Sequence, residues 1–318
     1  MDINTSADIE KGAAYLREGR LVAFPTETVY GLGADALNPM AVAKIFELKE
    51  RPSFDPLIVH IAELSELEKL TVEPDERVLA LAERFWPGPL TMVLNKSRII
   101  PDIVTSGLPT VGIRMPDNEI ALSLIMTAGC PVAAPSANKF GRTSPTTAAH
   151  VRKYFPDIDF IIDGGKTRVG IESTVIGITE YGFRLLRHGV VTREEIETIV
   201  PYDNTSKSDV LVIAPGMLKS HYSPAKHMIV SPPGKISESE RPKAGLLSFS
   251  GQDTENYGRV MLLTQSMDLR EYAVNLFEAM HTLEESEVEF IVAEPVPETG
   301  IGIAIMDRLR KASWTKKS

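Results

Sequence analysis

The chain has 318 residues, 43% of them hydrophobic and 24% charged, with a net charge of −9. That composition and length suit about two folded domains and exclude a disordered chain or a collagen-like fibre. A single cysteine, Cys130, excludes an intrachain disulfide, and the acidic balance excludes a general nucleic-acid coat, so phosphate recognition must rest on a local basic patch. The first ten residues are polar and acidic, and no apolar run reaches the ~18 residues of a membrane helix. A cytoplasmic protein without membrane contact is expected.

In chain order, residues 7–18 read as a helix with Thr5 or Ser6 as its cap and Gly19 as its stop. Residues 21–24 read as a strand ended by Pro25. Asn38-Pro39 opens a second helix, because Asn caps and Pro fits the first turn; Pro52 stops it by Arg51. Further strands are predicted at 57–61, 90–94, 110–114, 132–134, 160–162, 174–178 and 183–186, and helices at 118–128, 145–154 and 192–199. The last carries a capping box, Thr192 with Glu195. Residues 201–240 are rich in Pro, Ser, Lys and Asp and read as a linker with one docked apolar run, 210–214. Beyond it, 245–249, 260–263 and 290–293 look like buried parallel strands, with helices at 268–282 and 301–312. The expected division is 1–206 for the larger domain, 207–235 for the linker or lid, and 236–318 for a small α/β domain.

Three motifs mislead. Gly31-Leu-Gly33-Ala-Asp-Ala36 matches a relaxed dinucleotide fingerprint, but it does not come directly off its strand. Gly165-Lys166-Thr167 ends like a phosphate-binding P-loop, but position 160 is Phe and no helix pattern follows. The six histidines are dispersed and Cys130 is alone, so a zinc site is not expected.

The chemistry lies in several segments that join Thr or Ser, Gly, Pro and a basic residue at strand ends: 25–33, 49–52, 111–116, 134–138, 141–145, 163–173 and 185–189. Loops at strand ends form the ligand crevice of an open α/β sheet. Glycines let backbone N–H groups approach an anion, and Arg and Lys add charge. An acidic chain that gathers Lys49, Arg51, Arg114, Lys139, Arg142, Lys166, Arg168 and Arg187 into such loops is expected to bind a small anionic ligand.

These segments resemble the YrdC-like family in its two-domain form, the L-threonylcarbamoyladenylate synthases. The blocks PTETVYGLG (25–33), KERP (49–52), WPGPLT (86–91), APSAN (134–138) and GIEST (170–174) occur in the family's order, and APGM (214–217), SHYSP (220–224) and the last helix pattern (304–312) resemble the linker and end of the two-domain form. The resemblance covers nearly the whole chain. It implies a twisted open YrdC-like sheet with helices, plus a smaller C-terminal Rossmann-like α/β domain. It also implies a nucleotidyltransferase activity in which L-threonine, bicarbonate or CO2 and ATP yield threonylcarbamoyl-AMP and pyrophosphate. The product serves adenosine 37 of tRNAs that read codons beginning with A.

By the same resemblance, Thr28, His60, Arg114, Ala134 and Ser173 hold threonine. ATP lies against Arg51, Thr110, Ser136, Asn138, Ser144, Arg187 and Tyr222. Lys49 and Arg51 hold bicarbonate, carbamate and phosphates, with a spacing of two at a frayed helix end that lets both reach one anion. A guanidinium can grip a carboxylate with two hydrogen bonds, which suits Arg114. Ser144 before Pro145 is expected at a helix start, where phosphate is attracted. Tyr222 suggests that the linker folds over the mouth as a lid. Mg²⁺ is expected with ATP, with ligands the sequence does not identify. The downstream tRNA threonylcarbamoyltransferase machinery is the expected partner, with contact to tRNA or double-stranded RNA as a further expectation.

The chain departs from the family pattern at Glu50, Asp55, His188 and Ser223, where a small or polar residue, Asn, Pro and Ala are usual. Two rival readings compete with it. An RNA-binding protein is disfavoured by the net charge of −9 and by the lack of aromatics interleaved with Arg or Lys. A carbamoyltransferase like the YrdC-like module of hydrogenase maturation factors would need further modules upstream.

Overall fold

The computed structural model describes residues 3–205 and 221–314. The apolar run 210–214, the APGM block and Ser220 lie outside the described residues.

The larger domain runs α1 (Ile3–Arg17), β1 (Val22–Pro25), β2 (Tyr30–Asp35), α2 (Pro39–Lys49), β3 (Ile58–His60), α3 (Ser65–Leu70), α4 (Glu76–Phe85), β4 (Leu90–Asn95), α5 (Asp102–Thr105), β5 (Thr110–Arg114), α6 (Glu119–Ala128), β6 (Val132–Ala133), α7 (Ala148–Tyr154), β7 (Phe160–Ile161), β8 (Thr174–Thr179), β9 (Gly182–Arg187) and α8 (Arg193–Glu197). Its strands form one mixed sheet in the order β7-β1-β2-β6-β3-β5-β4-β8-β9. The smaller domain has β10 (His227–Val230), β11 (Ala244–Ser248), β12 (Arg259–Leu262), α9 (Leu269–Glu285), β13 (Phe290–Ala293) and α10 (Ile301–Ala312). Its sheet is parallel throughout, in the order β10-β13-β11-β12. Strands alternating with helices give the mixed α/β class expected from the sequence.

Local chemistry explains most boundaries. Asn38 accepts from the backbone N–H groups of Met40 and Ala41, Pro39 opens α2, and Glu50 ends it in the left-handed region at φ 55. The capping box of Thr192 and Glu195 is present at α8. Other elements differ from expectation. Helix α1 begins at Ile3, which puts Thr5 and Ser6 inside it. Residues 30–35 form a strand rather than a glycine loop: Tyr30, Leu32 and Ala34 enter the core, while a Cβ at Gly33 would sit 2.7 Å from Phe24. Helix α4, capped by Asp75, adds an element beyond those expected and buries Val78, Leu81 and Ala82 at helical spacing. Helix α7 begins at Ala148 with Thr147 as its cap, so Ser144 lies outside its first turn. Strand β12 is an exposed edge, not a buried strand. Strand β10 already belongs to the small sheet, ahead of the expected start at 236.

The register of the large sheet creates the functional face. Val59 pairs with Ile113 and Ala133, and Met92 pairs with Ile113; these side chains join one core beneath the sheet. Their neighbours alternate to the other face. There α1 and α6 cover β1 and β6 through Ile9, Leu16, Phe24, Leu124 and Val132. Beside that cluster, on β3, β5, β4 and β8, Ile58, His60, Gly112, Arg114, Thr91 and Val175 share the same face. The small domain closes on the large one through a common buried cluster in which Val29 and Ile171 meet Tyr222, Ala273 and Phe277.

Candidate active site

A cavity of about 60 Å³ opens on this face, lined by Thr28, Arg51, His60, Arg114, Ala134, Ser136, Glu172, Arg187, His221 and Tyr222, with Thr26, Val29, Gly31, Leu57, Ile58 and Pro135. Three arginines reach it, each anchored from behind. Arg114, at the end of β5, donates from Nε to the Gly88 carbonyl at 3.3 Å and from Nη2 to Thr28 Oγ1 at 3.1 Å. The same Nη2 lies 2.7 Å from Glu27 Oε1. Arg51 donates to the carbonyls of Asp55 and Pro56 at 3.0 and 2.8 Å and pairs with Asp55 Oδ2 at 2.9 Å. Arg187, at the end of β9, donates to the Ser173 carbonyl and hydroxyl at 3.0 and 2.9 Å, and that hydroxyl bonds to Thr91 Oγ1 at 2.8 Å. Such anchoring fixes the guanidinium planes before any ligand arrives.

Burial sets the charge states. His60 is 3% exposed, and burial next to Arg114 pushes its pKa down to about 3. It is therefore a neutral imidazole, and its Nδ1 has no hydrogen-bond partner among the described residues. Burial also drives Lys49 well below the usual lysine range, with Arg51 adding to the effect. Burial raises the Asp55 carboxyl against the pull of Arg51, lowers His221 and raises the Tyr222 phenol. Tyr222 is wholly enclosed, held at φ 63 with its carbonyl accepting from Thr143 Oγ1 at 3.3 Å, and its ring stacks on Phe277 at 5.7 Å.

Most residues singled out from the sequence converge here, and some take places other than those expected. Lys49 does not line the cavity. It is the last residue of α2, before the closed, left-handed cap at Glu50 rather than in a frayed turn, and its side-chain nitrogen donates to the carbonyls of Ser136 (2.6 Å) and Asn138. Asn138 donates to the carbonyls of Lys139 and Arg142, at 2.8 and 2.9 Å. Ser144 and Ser173 are buried beside the cavity, and Ser144 Oγ donates to Glu172 Oε1. Thr110 lies at the far end of β5 in a separate cleft of about 660 Å³. Lys139, Lys166 and Arg168 point elsewhere, to Glu50 (2.6 Å), to Asn275 (2.9 Å) and to Asp117.

Among the acidic residues of the site, Asp55 stands out in the sequence as a departure from the family pattern, whereas Glu27 and Glu172 do not stand out. Glu27, Asp55 and Glu172 are each buried and each paired with an arginine. Glu27 and Glu172 sit inside motif blocks, and a carboxylate set among apolar and hydroxyl residues of a block is the available signal.

Residues 14–189 match the Sua5/YciO/YrdC family model, described as "Telomere recombination", and residues 191–313 match the model of the threonylcarbamoyl-AMP synthase C-terminal domain. The chain belongs to the Sua5/YrdC family. Its relatives include the threonylcarbamoyl-AMP synthases of Pyrococcus abyssi, 46% identical over 96% of this chain and 94% of the relative, and of Bacillus subtilis, 42% identical over 96% and 92%. The solved structure of P. abyssi Sua5 complexed with L-threonine superposes with a TM-score of 0.86 at 46% identity, covering 96% of this chain and 94% of that one. A full-length HypF structure matches 57% of this chain at 24% identity and a TM-score of 0.51, which shows a shared fold alone. No helix among the described residues is long and apolar enough to cross a membrane.

Proposed function

We propose that this Sua5 family member joins L-threonine, bicarbonate or CO2 and ATP into L-threonylcarbamoyl-AMP, releasing pyrophosphate. The observation that carries the reading is the set of three pre-anchored arginines, with Thr28 and neutral His60, around one cavity in a chain matched across both domains by threonylcarbamoyl-AMP synthases. Arg114 with Thr28 binds the threonine carboxylate; threonine as the substrate is supported by the structure of P. abyssi Sua5 complexed with L-threonine. His60 Nδ1 accepts a hydrogen bond from the threonine amine; with a pKa of about 3 it orients the nucleophile and does not store a proton. Ala134 completes the wall, and Ser173 acts from behind it by holding Arg187.

The threonine nitrogen forms a bond to the carbon of CO2 and loses a proton to solvent. A carbamate oxygen then attacks the α-phosphorus, and the bond to the pyrophosphate oxygen breaks. Arg51 and Arg187 stabilise the charge that develops on the phosphates, with Ser136 as a neutral donor and Ser144 held against Glu172 beside them. Lys49 and Asn138 hold the 134–142 loop in shape. Thr110, in its separate cleft, is left out of this reading, and Tyr222 closes the cavity. Among the described residues no cluster of acidic, His or Cys groups could hold a metal. Since Glu27, Asp55 and Glu172 are occupied by arginines, Mg²⁺ fits here as a companion of the ATP phosphates rather than in a protein cage. The product goes to a tRNA threonylcarbamoyltransferase for adenosine 37, which places the work in the cytoplasm.

The test is pyrophosphate release from Mg-ATP, omitting threonine and then bicarbonate. Release that needs both, with the mass of threonylcarbamoyl-AMP in the product, is expected. Release indifferent to threonine, or none from folded protein, overturns the reading.

A further inference from the structure

Helix α10 carries an arginine where its apolar stripe should continue. Ile301, Ala304, Ile305, Leu309 and Ala312 are buried at helical spacing, and Arg308 stands among them with no exposure at all. A guanidinium is almost never buried without partners. The partner within its own domain is Asp307, at 3.3 Å. The others belong to the large domain: Nε donates to Glu172 Oε2 at 3.1 Å, and Nη1 donates to the backbone carbonyl of His188.

Both contacts lead to the cavity. Glu172 lines it, and its second oxygen accepts from Ser144 Oγ. His188 directly follows Arg187, which also lines it. The Arg308 guanidinium lies 5.4 Å from the centre of the Tyr222 ring. Helix α9 grips the same place, since His281 Nε2 hydrogen-bonds to the Ser144 carbonyl at 3.2 Å.

We propose that Arg308 is a positioning residue for the active site: through Glu172 it sets Ser144, and through the His188 carbonyl it sets the strand end that presents Arg187. The small domain then completes the phosphate side of the cavity, beyond carrying a linker to it. The threonine side, built on Arg114, Thr28 and His60, has no Arg308 contact. The chemistry assigned to the two sides rests on the synthase reading above.

The experiment uses full-length Arg308→Met, Arg308→Lys, Glu172→Gln and the Met/Gln double variant. Steady-state pyrophosphate release is read against ATP and against threonine, and hydrogen exchange is followed over 140–147 and 185–190. Loss of a buried, charge-assisted contact gives a change of about tenfold or more. Arg308→Met is expected to raise the KM for ATP by about tenfold with the KM for threonine within about twofold. Arg308→Lys should recover part of the loss, and the double variant should be no worse than the poorer single one. Exchange should quicken over both segments in Arg308→Met, and this readout stands even if the wild-type protein shows no threonine-dependent turnover. If Arg308→Met folds with native exchange in both segments, or its losses fall equally on both substrates, or they add to those of Glu172→Gln, the positioning role is wrong. Should Arg308→Met fail to fold, Arg308→Lys and Glu172→Gln decide by the same readouts.

Discussion

Arg114 differs from the other two cavity arginines in the acid behind it. Arg51 has a local partner, Asp55, four residues on, and Arg187 rests on the neutral Ser173. Arg114 is balanced by Glu27, which is 1% exposed and placed by the turn between β1 and β2. Glu27 does not line the cavity, so its effect must pass through the guanidinium. Taking the charge from one member of a buried ion pair leaves the other uncompensated. Glu27→Gln is therefore expected to raise the KM for threonine by about tenfold or more, with the KM for ATP nearly unchanged. Titrating each substrate separately checks this, and equal losses on both would assign Glu27 to stability alone. Asp55 is a second case of a residue that matters by its partner. It stands where the family resemblance leads one to expect Asn, and it holds Arg51 with a carboxylate.

At the scale of elements, the loop 163–173 shows how one segment serves two needs. Its glycines suggested a cradle for phosphate. Gly170, at φ 81, instead lets the chain pass against α9, and a Cβ there would lie 2.4 Å from the Ala273 carbonyl oxygen and 2.5 Å from Val274 Cα. Neither atom can swing aside, because both belong to helix backbone. The left-handed conformation alone costs a non-glycine residue ~1–2 kcal/mol. Gly170→Ala is expected to lower stability by about 2 kcal/mol or more and to expose the domain junction to limited proteolysis. A native melting midpoint would mean that the loop and α9 do not touch. This element also shows what could be read in advance. His60, Arg114 and Arg187 were legible because they end strands and sit in compact motifs. Arg308 was not, because its meaning lies in Glu172, 136 residues away. Ser144 was placed at a helix start because Pro145 follows it, but Thr147 makes the cap and Ser144 turns to Glu172 instead. Local signals predict caps and turns well; they do not say which buried acid a base will meet.

At the scale of the whole molecule, buried histidines connect the cavity to the domain junction. His60 and His221 line the cavity, while His150 of α7 stacks on His281 of α9 at 3.9 Å and 25°. Burial holds all four below the usual histidine range, His60 and His281 at about 3. The surroundings reinforce the effect at three of them: Arg114 faces His60, Arg51 and Lys49 face His221, and His150 faces His281. For His150 the nearby Glu278 and Glu285 oppose burial without overcoming it. The unfolded chain takes up protons at these positions below about pH 6.5, and the folded chain does not. Stability therefore falls as the pH drops from about 6.5 towards 3, by about 2 kcal/mol at pH 5 for each fully neutral histidine. Melting midpoints measured from pH 7 down to pH 5 should fall accordingly. His281→Gln keeps a donor for the Ser144 carbonyl and removes one titrating group, so it should flatten that acid limb by about one histidine's share, ~2 kcal/mol at pH 5. An acid limb as steep in His281→Gln as in the parent would show that His281 is protonated in the folded protein. The domain junction would then hold together with a charged imidazole stacked against His150.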